Sequence, residues 1–114
     1  MLDFEKQLSG DILIEKVNLA RATTVEASII KKRLFEDVHL SKKKIIVDMS
    51  NCHFIDEIFL GALVVSLKRS REAGGNIKVV LDPSVAKKTT NITGFLKVIE
   101  NFSSVEDALK SFRS

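Results

Sequence analysis

The 114 residues include 45% hydrophobic and 29% charged side chains, proportions typical of one globular domain large enough to bury its own core. The 18 Lys and Arg outnumber the 15 Asp and Glu by only three, so charge gives little reason to expect a nucleic-acid-binding protein. A single cysteine, Cys52, excludes an intramolecular disulfide. The start, MLDFEKQL, has acids where a secretory signal has basic residues, and the longest apolar run, residues 58–67, is too short to span a bilayer. We therefore expect a cytoplasmic protein of one domain, residues 1–114, with no direct membrane insertion.

The first third of the chain predicts two strands followed by a helix. Ile12–Val17 (ILIEKV) is typical of a strand, and Leu2–Leu8 is a possible partner or edge strand across the turn at Ser9-Gly10. Thr23-Thr24-Val25-Glu26 has the spacing of a capping box, in which a threonine hydroxyl and a glutamate satisfy free amides at a helix start. The helix that follows places four apolar residues on one face: Ala27, Ile30, Leu34 and Val38.

The middle of the chain alternates strand and helix signals. Ile45–Val47 is a short β-branched run of the kind buried on both faces of a sheet. Asp56 is expected to cap a second helix that ends at Gly74-Gly75. Ile77–Leu81 is the next strand, and Asp82-Pro83 has the order of a helix cap followed by a first-turn proline.

The last residues predict an edge strand and a final helix. Lys97–Ile99 is a possible short edge strand, and Ser103–Glu106 is a second possible capping box. The helix after it is expected to point Val105, Leu109 and Phe112 inward. The predicted order is ββαβαβαβα, an α/β fold with helices packed on a central sheet of about four to five strands.

Signatures of catalysis and of metal or cofactor binding are scarce. Cys52 and His53 are adjacent, so on an extended segment their side chains point opposite ways, and His39 lies on another element. Lys42-Lys43-Lys44 is the one basic run, and the chain has no Trp or Tyr to stack on bases. We expect a protein that is not an enzyme, needs no cofactor or metal and binds no nucleic acid.

Residues 45–99 carry a set of short motifs in a distinctive order. They are Val47-Asp48-Met49-Ser50, Phe54-Ile55-Asp56, Leu60-Gly61, Glu72-Ala73-Gly74-Gly75, Pro83-Ser84-Val85-Ala86-Lys87-Lys88 and Ile92-Thr93-Gly94-Phe95. In this order and spacing the chain resembles the STAS domain family, which includes the bacterial anti-sigma factor antagonists that regulate transcription. The resemblance covers nearly the whole chain and implies the STAS fold, with a mixed central sheet.

The resemblance implies a protein-binding regulatory module that acts by partner switching. In the family, a serine or threonine at a helix start is phosphorylated by an anti-sigma factor that is a serine kinase, and the unmodified form binds that kinase. Here Glu57 takes the place of the first serine, Ile58 that of the phosphorylated residue, and Phe59 that of a glycine. The sequence therefore predicts a divergent member that is not phosphorylated at the usual position.

Other relatives leave two alternatives open. Some STAS domains are small subunits beside a transport ATPase or cytoplasmic parts of anion transporters, so an accessory subunit of a transport ATPase complex is one alternative. A module that binds a small ligand is the other, and it requires a cavity with convergent polar groups.

The helix after Asp56 is the predicted partner-binding element. Leu60, Leu63, Val64 and Leu67 form its expected inward stripe, which leaves other apolar residues on flanking or outer faces. The predicted interface consists of Asp56, Glu57, Ile58, Phe59, Ala62 and Val65, flanked by Asn18, Arg21 and Thr23 of the preceding strand–helix loop. Phe59 folding over the adjacent loop, and plain capping by Asp56, are the alternatives for those two residues. A homodimer through Ile58 and Phe59 is also possible.

Overall fold

The computed structural model describes residues 2–89 and 92–114, which form a five-stranded sheet, a two-stranded sheet and five helices. The strands are β1 Phe4–Ser9, β2 Ile12–Val17, β3 Arg21–Ala22, β4 Lys44–Met49, β5 Phe54–Ile55, β6 Asn76–Leu81 and β7 Asn101–Phe102. The helices are α1 Thr24–His39, α2 Glu57–Glu72, α3 Pro83–Ala86, α4 Ile92–Val98 and α5 Val105–Arg113. The predicted α/β class is confirmed, and β3, β5 and α4 are additional to the predicted elements.

The large sheet is mixed, as the resemblance implied. Its strand order is β1-β2-β4-β6-β7, with β1 antiparallel to β2 and the other pairs parallel. The predicted edge strand at Lys97–Ile99 is wrong. Ile92, Phe95 and Ile99 are buried at spacings of three and four, so this segment packs as helix α4 and the residue after it. The edge strand is Asn101–Phe102, two residues farther on.

Helices cover both faces of the sheet, and the larger core lies on the side of α1 and α2. That core takes the inward residues of α1 together with Val47, Ile77 and Val79 from the sheet. Helix α5 covers the opposite face, where Ala108 packs against Ile46. Because both faces are covered, β4 and β6 are apolar over most of their length rather than alternating.

Helix ends follow the predicted caps with one correction. The Glu26 carboxylate accepts the backbone N–H of Thr23 at 2.9 Å, which is the predicted capping box of α1. Gly74, at φ +85°, closes the last turn of α2 as expected. At α5 the Ser104 hydroxyl accepts the N–H of Asp107 at 3.1 Å, so Asp107 and not Glu106 is the third residue of that helix.

A buried charge cluster joins the β1–β2 hairpin to α1. Glu15 and Asp37 are both fully buried, and one oxygen of each carboxyl lacks a hydrogen-bond partner. Lys6 Nζ lies 2.7 Å from Asp37, and an Arg33 nitrogen lies 2.9 Å from Glu15. Burial and the neighbouring Asp37 raise the pKa of Glu15 to about 8, although Arg33 acts to lower it.

Candidate functional site

The loops that lead into α1 and α2 are bound to each other by backbone hydrogen bonds. Strands β3 and β5 pair in parallel, with Ala22 opposite Ile55. The carbonyl of Ala20 accepts the N–H of His53 at 2.7 Å, and the carbonyl of Ala22 accepts that of Asp56 at 3.0 Å. The two helices therefore start side by side, because the backbone segments that precede them are hydrogen-bonded to each other.

Asp56 holds the two helix starts together. One carboxylate oxygen accepts the N–H of Phe59 at 2.8 Å, which confirms the predicted cap of α2. The other accepts the N–H and the hydroxyl of Thr24, at 2.7 and 3.0 Å, in the first turn of α1. Partial desolvation acts to raise the pKa of Asp56, but hydrogen bonds from Phe59 and Thr24 outweigh it and lower this pKa. Asp56 is thus an ionised double cap.

An exposed apolar strip lies immediately beyond this cap on α2. Ile58 is 56% exposed and Val65 is 47% exposed, two turns farther along the helix. Between α1 and α2 these side chains line an open cleft of about 300 Å³, together with Gly61 of α2 and Ser28 and Lys31 of α1. Such a strip in the first turns of a firmly capped helix can bury apolar area against another macromolecule.

Phe59 does not belong to this strip, and the prediction that it lies on a flanking or outer face of α2 is wrong, whereas Ala62 lines the α1–α2 cleft beside the strip. Phe59 is fully buried in the larger core, and Ala62 is 9% exposed. Helix α2 packs against the sheet and α1 and also contacts α4, so its buried arc is wider than a simple amphipathic helix requires. Buried Ser66 and Ser70 lie on that arc, and because they are polar the apolar pattern of the sequence is narrower than the face that is buried.

The predicted flanking residues have different environments. Arg21 is exposed, and its guanidinium stacks over the Phe54 ring at 4.3 Å, directly beside the start of α2. Thr23 is half-buried and bound to Glu26 in the capping box. Asn18 does not join the site through its side chain, because its amide nitrogen donates to Leu2 and Glu5 at the start of β1. Glu57 is exposed in the first turn of α2, as expected.

Sequence reasoning missed three features of this surface. Thr24 meets Asp56 across 32 positions of sequence, and no local pattern signals such a contact. Phe54 provides the ring beneath Arg21. A second apolar cleft of about 340 Å³ runs between α2 and α4 and includes Gly94 and Val98.

The reactive groups near this surface are structural. Cys52 is buried, and desolvation together with the nearby Asp48 raises the pKa of its thiol to about 12, while its neighbour His53 is exposed. Among residues 2–89 and 92–114, no group of three or more His, Cys, Asp or Glu side chains is placed to hold a metal ion. Over the same ranges, none of the helices combines the length and apolar character needed to cross a membrane.

Comparisons with known proteins agree with this architecture. The sequence profile of the STAS domain matches residues 7–108. The fold resembles an anti-sigma factor antagonist from Mycobacterium paratuberculosis, with 18% identity, a TM-score of 0.84 and coverage of 97% of this chain and 93% of that one. The fold also resembles a candidate anti-sigma factor antagonist from Thermotoga maritima, with 21% identity and a TM-score of 0.81. That match covers 97% of this chain and 95% of the other.

The murine anion transporter Slc26a9 contains a similar unit. Its structure matches with 18% identity and a TM-score of 0.73, over 94% of this chain and 18% of the transporter. At these identities the structural likenesses establish the fold alone. A search of curated proteins finds no match.

Proposed function

The chain belongs to the STAS domain family, and we propose that it is a protein-binding regulatory module that docks on its partner through the first turns of α2. The observation that carries this proposal is Ile58, which is exposed beside the rigid Asp56 double cap at the family's phosphorylated position. Burying an isoleucine side chain contributes roughly 1.5–3 kcal/mol, enough to make it a central contact. The docking surface comprises Asp56, Glu57, Ile58, Val65 and Arg21.

The proposed partner is an anti-sigma factor of the serine-kinase type. Ile58 has no hydroxyl, so a phosphate, with its charge of about −1.5 to −2, cannot be added there to break the complex. The module therefore acts as a constitutive antagonist, regulated by its own abundance or by its partner. We further propose a cytoplasmic location and a non-catalytic role, supported by the single buried thiol and its raised pKa.

The accessory-subunit role beside a transport ATPase is the alternative, and the similar domain within an anion transporter supports an association with membrane transport. The clefts beside α2 are open and lined mainly by apolar side chains, which suits a protein better than a small polar ligand.

Affinity capture from native cytoplasm tests the proposal with three baits: wild type, Ile58→Asp and Leu40→Asp. Leu40 is a matched control because it is 57% exposed but follows the end of α1, away from the Asp56 double cap. A kinase-type anti-sigma factor retained by wild type and Leu40→Asp but lost by Ile58→Asp supports the proposal. A transport ATPase with the same pattern supports the alternative. Equal capture by all three baits contradicts docking through α2.

Self-association through the same strip is a separate possibility for the free protein. Sedimentation at several concentrations distinguishes it, because Ile58→Asp abolishes a dimer that uses this surface and leaves unchanged one that does not.

A further inference from the structure

We propose that the partner segment bound along α2 is an acidic amphipathic helix, with apolar residues on Ile58, Gly61 and Val65 and carboxylates facing Lys31 and Lys68. The inference rests on the proposed function, since it names the chemistry of the partner for that same surface. It extends the docking surface from the first turns of α2 toward the end of that helix.

Helices α1 and α2 run parallel and start at the same level, so the cleft between them continues along both helices. Thr24 meets Asp56 at their starts, and about three turns later the Arg69 guanidinium lies 4.5 Å from the ring centre of Phe35. Along α2, residues 58, 61, 65 and 69 recur at spacings of three and four, which places them along one side of the helix. The strip from residue 58 to residue 69 is about 16 Å long, a length that a partner helix of three turns matches.

Gly61 is the least expected residue of this strip. It is exposed in the middle of α2, and a Cβ built on it meets no atom within 4 Å, so internal packing does not require glycine there. Glycine in a helix interior costs up to about 1 kcal/mol relative to alanine. Its effect is to leave the surface open between Ile58 and Val65, where the backbone of a second helix can approach closely.

The far half of the strip is positively charged. Arg69 lies on the strip, where its guanidinium stacks on Phe35, and Lys68 lies beside it at the edge of the neighbouring cleft that includes Glu72 and Val98. Among the residues that the structure describes, the ion pairs use Lys6, Arg33, Lys44, Lys78 and Lys110, and none uses the cations of this strip or Lys31. A partner with carboxylates at this end is therefore electrostatically complementary.

The apolar residues at the start of the strip and the basic residues at its end together favour a helical partner over other anionic ligands. A helix laid in a groove presents apolar anchors at one-turn spacings followed by charges on the same face, which is the arrangement of this strip. Duplex DNA or an anionic membrane would use the cations but would gain little from Ile58 and an open glycine.

The test uses the full chain and the partner that wild type captures and Ile58→Asp loses. A photo-crosslinking benzoylphenylalanine replaces Ser28, which lines the α1–α2 cleft, and the crosslinked partner peptide is sequenced. We expect a peptide with apolar residues at helical spacing followed by Asp and Glu. A basic peptide, a crosslink to nucleic acid or lipid, or the absence of any crosslink overturns the inference.

Affinity measurements with the purified partner separate this inference from the proposed function. The pair Lys31→Glu and Lys68→Glu is expected to weaken binding at least tenfold, and Lys110→Glu, on the opposite face of the sheet, less than twofold. Gly61→Gln is expected to weaken binding at least tenfold without lowering the midpoint of denaturant unfolding. If Ile58→Asp abolishes binding while these variants bind like wild type, the proposed function stands and the acidic helix is refuted. If Ile58→Asp binds normally, both fail.

Discussion

The buried Glu15–Asp37 pair makes the stability of the protein depend on pH near neutrality. The folded pKa of Glu15, about 8, lies above its ordinary value of 4.5 because burial and Asp37 disfavour the charged form. Between these two values the folded protein holds a proton that the unfolded chain has lost. The free energy of unfolding therefore falls as pH rises through this window, and Glu15 contributes its full stability only below it.

The magnitude follows from the linkage of one proton. A difference of one bound proton changes the free energy of unfolding by about 1.4 kcal/mol per pH unit, so from pH 5 to pH 7 the loss is on the order of 2.7 kcal/mol. Glu15→Gln has nearly the shape of the protonated acid and can still meet Arg33 and Asp37, so it should fold without this dependence.

Denaturant unfolding followed by circular dichroism at half-unit steps from pH 5 to pH 8 measures the effect. Glu36→Gln is the matched control, since Glu36 is an exposed glutamate on α1 and its change alters the net charge of the unfolded chain equally. Wild type should lose stability relative to Glu15→Gln as pH rises, whereas Glu36→Gln should follow the pH dependence of wild type. If the free energies of unfolding of wild type and Glu15→Gln changed in parallel with pH, the retention of a proton by Glu15 in the folded state would be refuted.

Three further predictions concern α2 and its surroundings. In denaturant titrations, Phe59→Ala should lower the free energy of unfolding by about 3–5 kcal/mol, because Phe59 lies in the core. Ile58→Ala should lower it by less than about 0.5 kcal/mol, because Ile58 is exposed. Similar losses for the two variants would contradict the faces of α2 to which these residues are assigned. Cys52 should react with a thiol reagent at pH 8 only at the rate of unfolding, since it is buried and its pKa is raised; labelling of the native protein within minutes would contradict this. Gly75→Ala should destabilise the fold by more than about 1 kcal/mol, because its Cβ would lie 2.7 Å from the carbonyl oxygen of Lys43, and an unchanged melting temperature would contradict that close approach.

The sequence predicted features that depend on local pattern. Strand β2 has the predicted bounds Ile12–Val17, and the caps at Thr23 and Asp56 are where hydroxyl and carboxylate signals placed them. Such features succeed because propensity, capping and periodicity involve residues within one or two turns of each other.

Failures occurred where tertiary contacts decided the outcome. Lys97–Ile99 has apolar character that suits a strand, but burial at helical spacing placed it at the end of α4. The apolar stripe of α2 leaves out Phe59 because Ser66 and Ser70, although polar, are part of the buried face and hide its full width in the sequence. Glu15 interrupts an apolar strand with no local sign that Asp37, Arg33 and Lys6 would surround it. Contacts between residues that are far apart in the sequence produce no local pattern from which one sequence could predict them.

Hydrogen–deuterium exchange measures whether the partner docks through the first turns of α2. Exchange is measured on the full chain alone and bound to the partner that wild type captures. We expect slower exchange on binding in peptides that cover residues 56–69 and 24–31, with α5 unchanged. Protection confined to α5 or to the β1–β2 hairpin, with residues 56–69 unaffected, would contradict it.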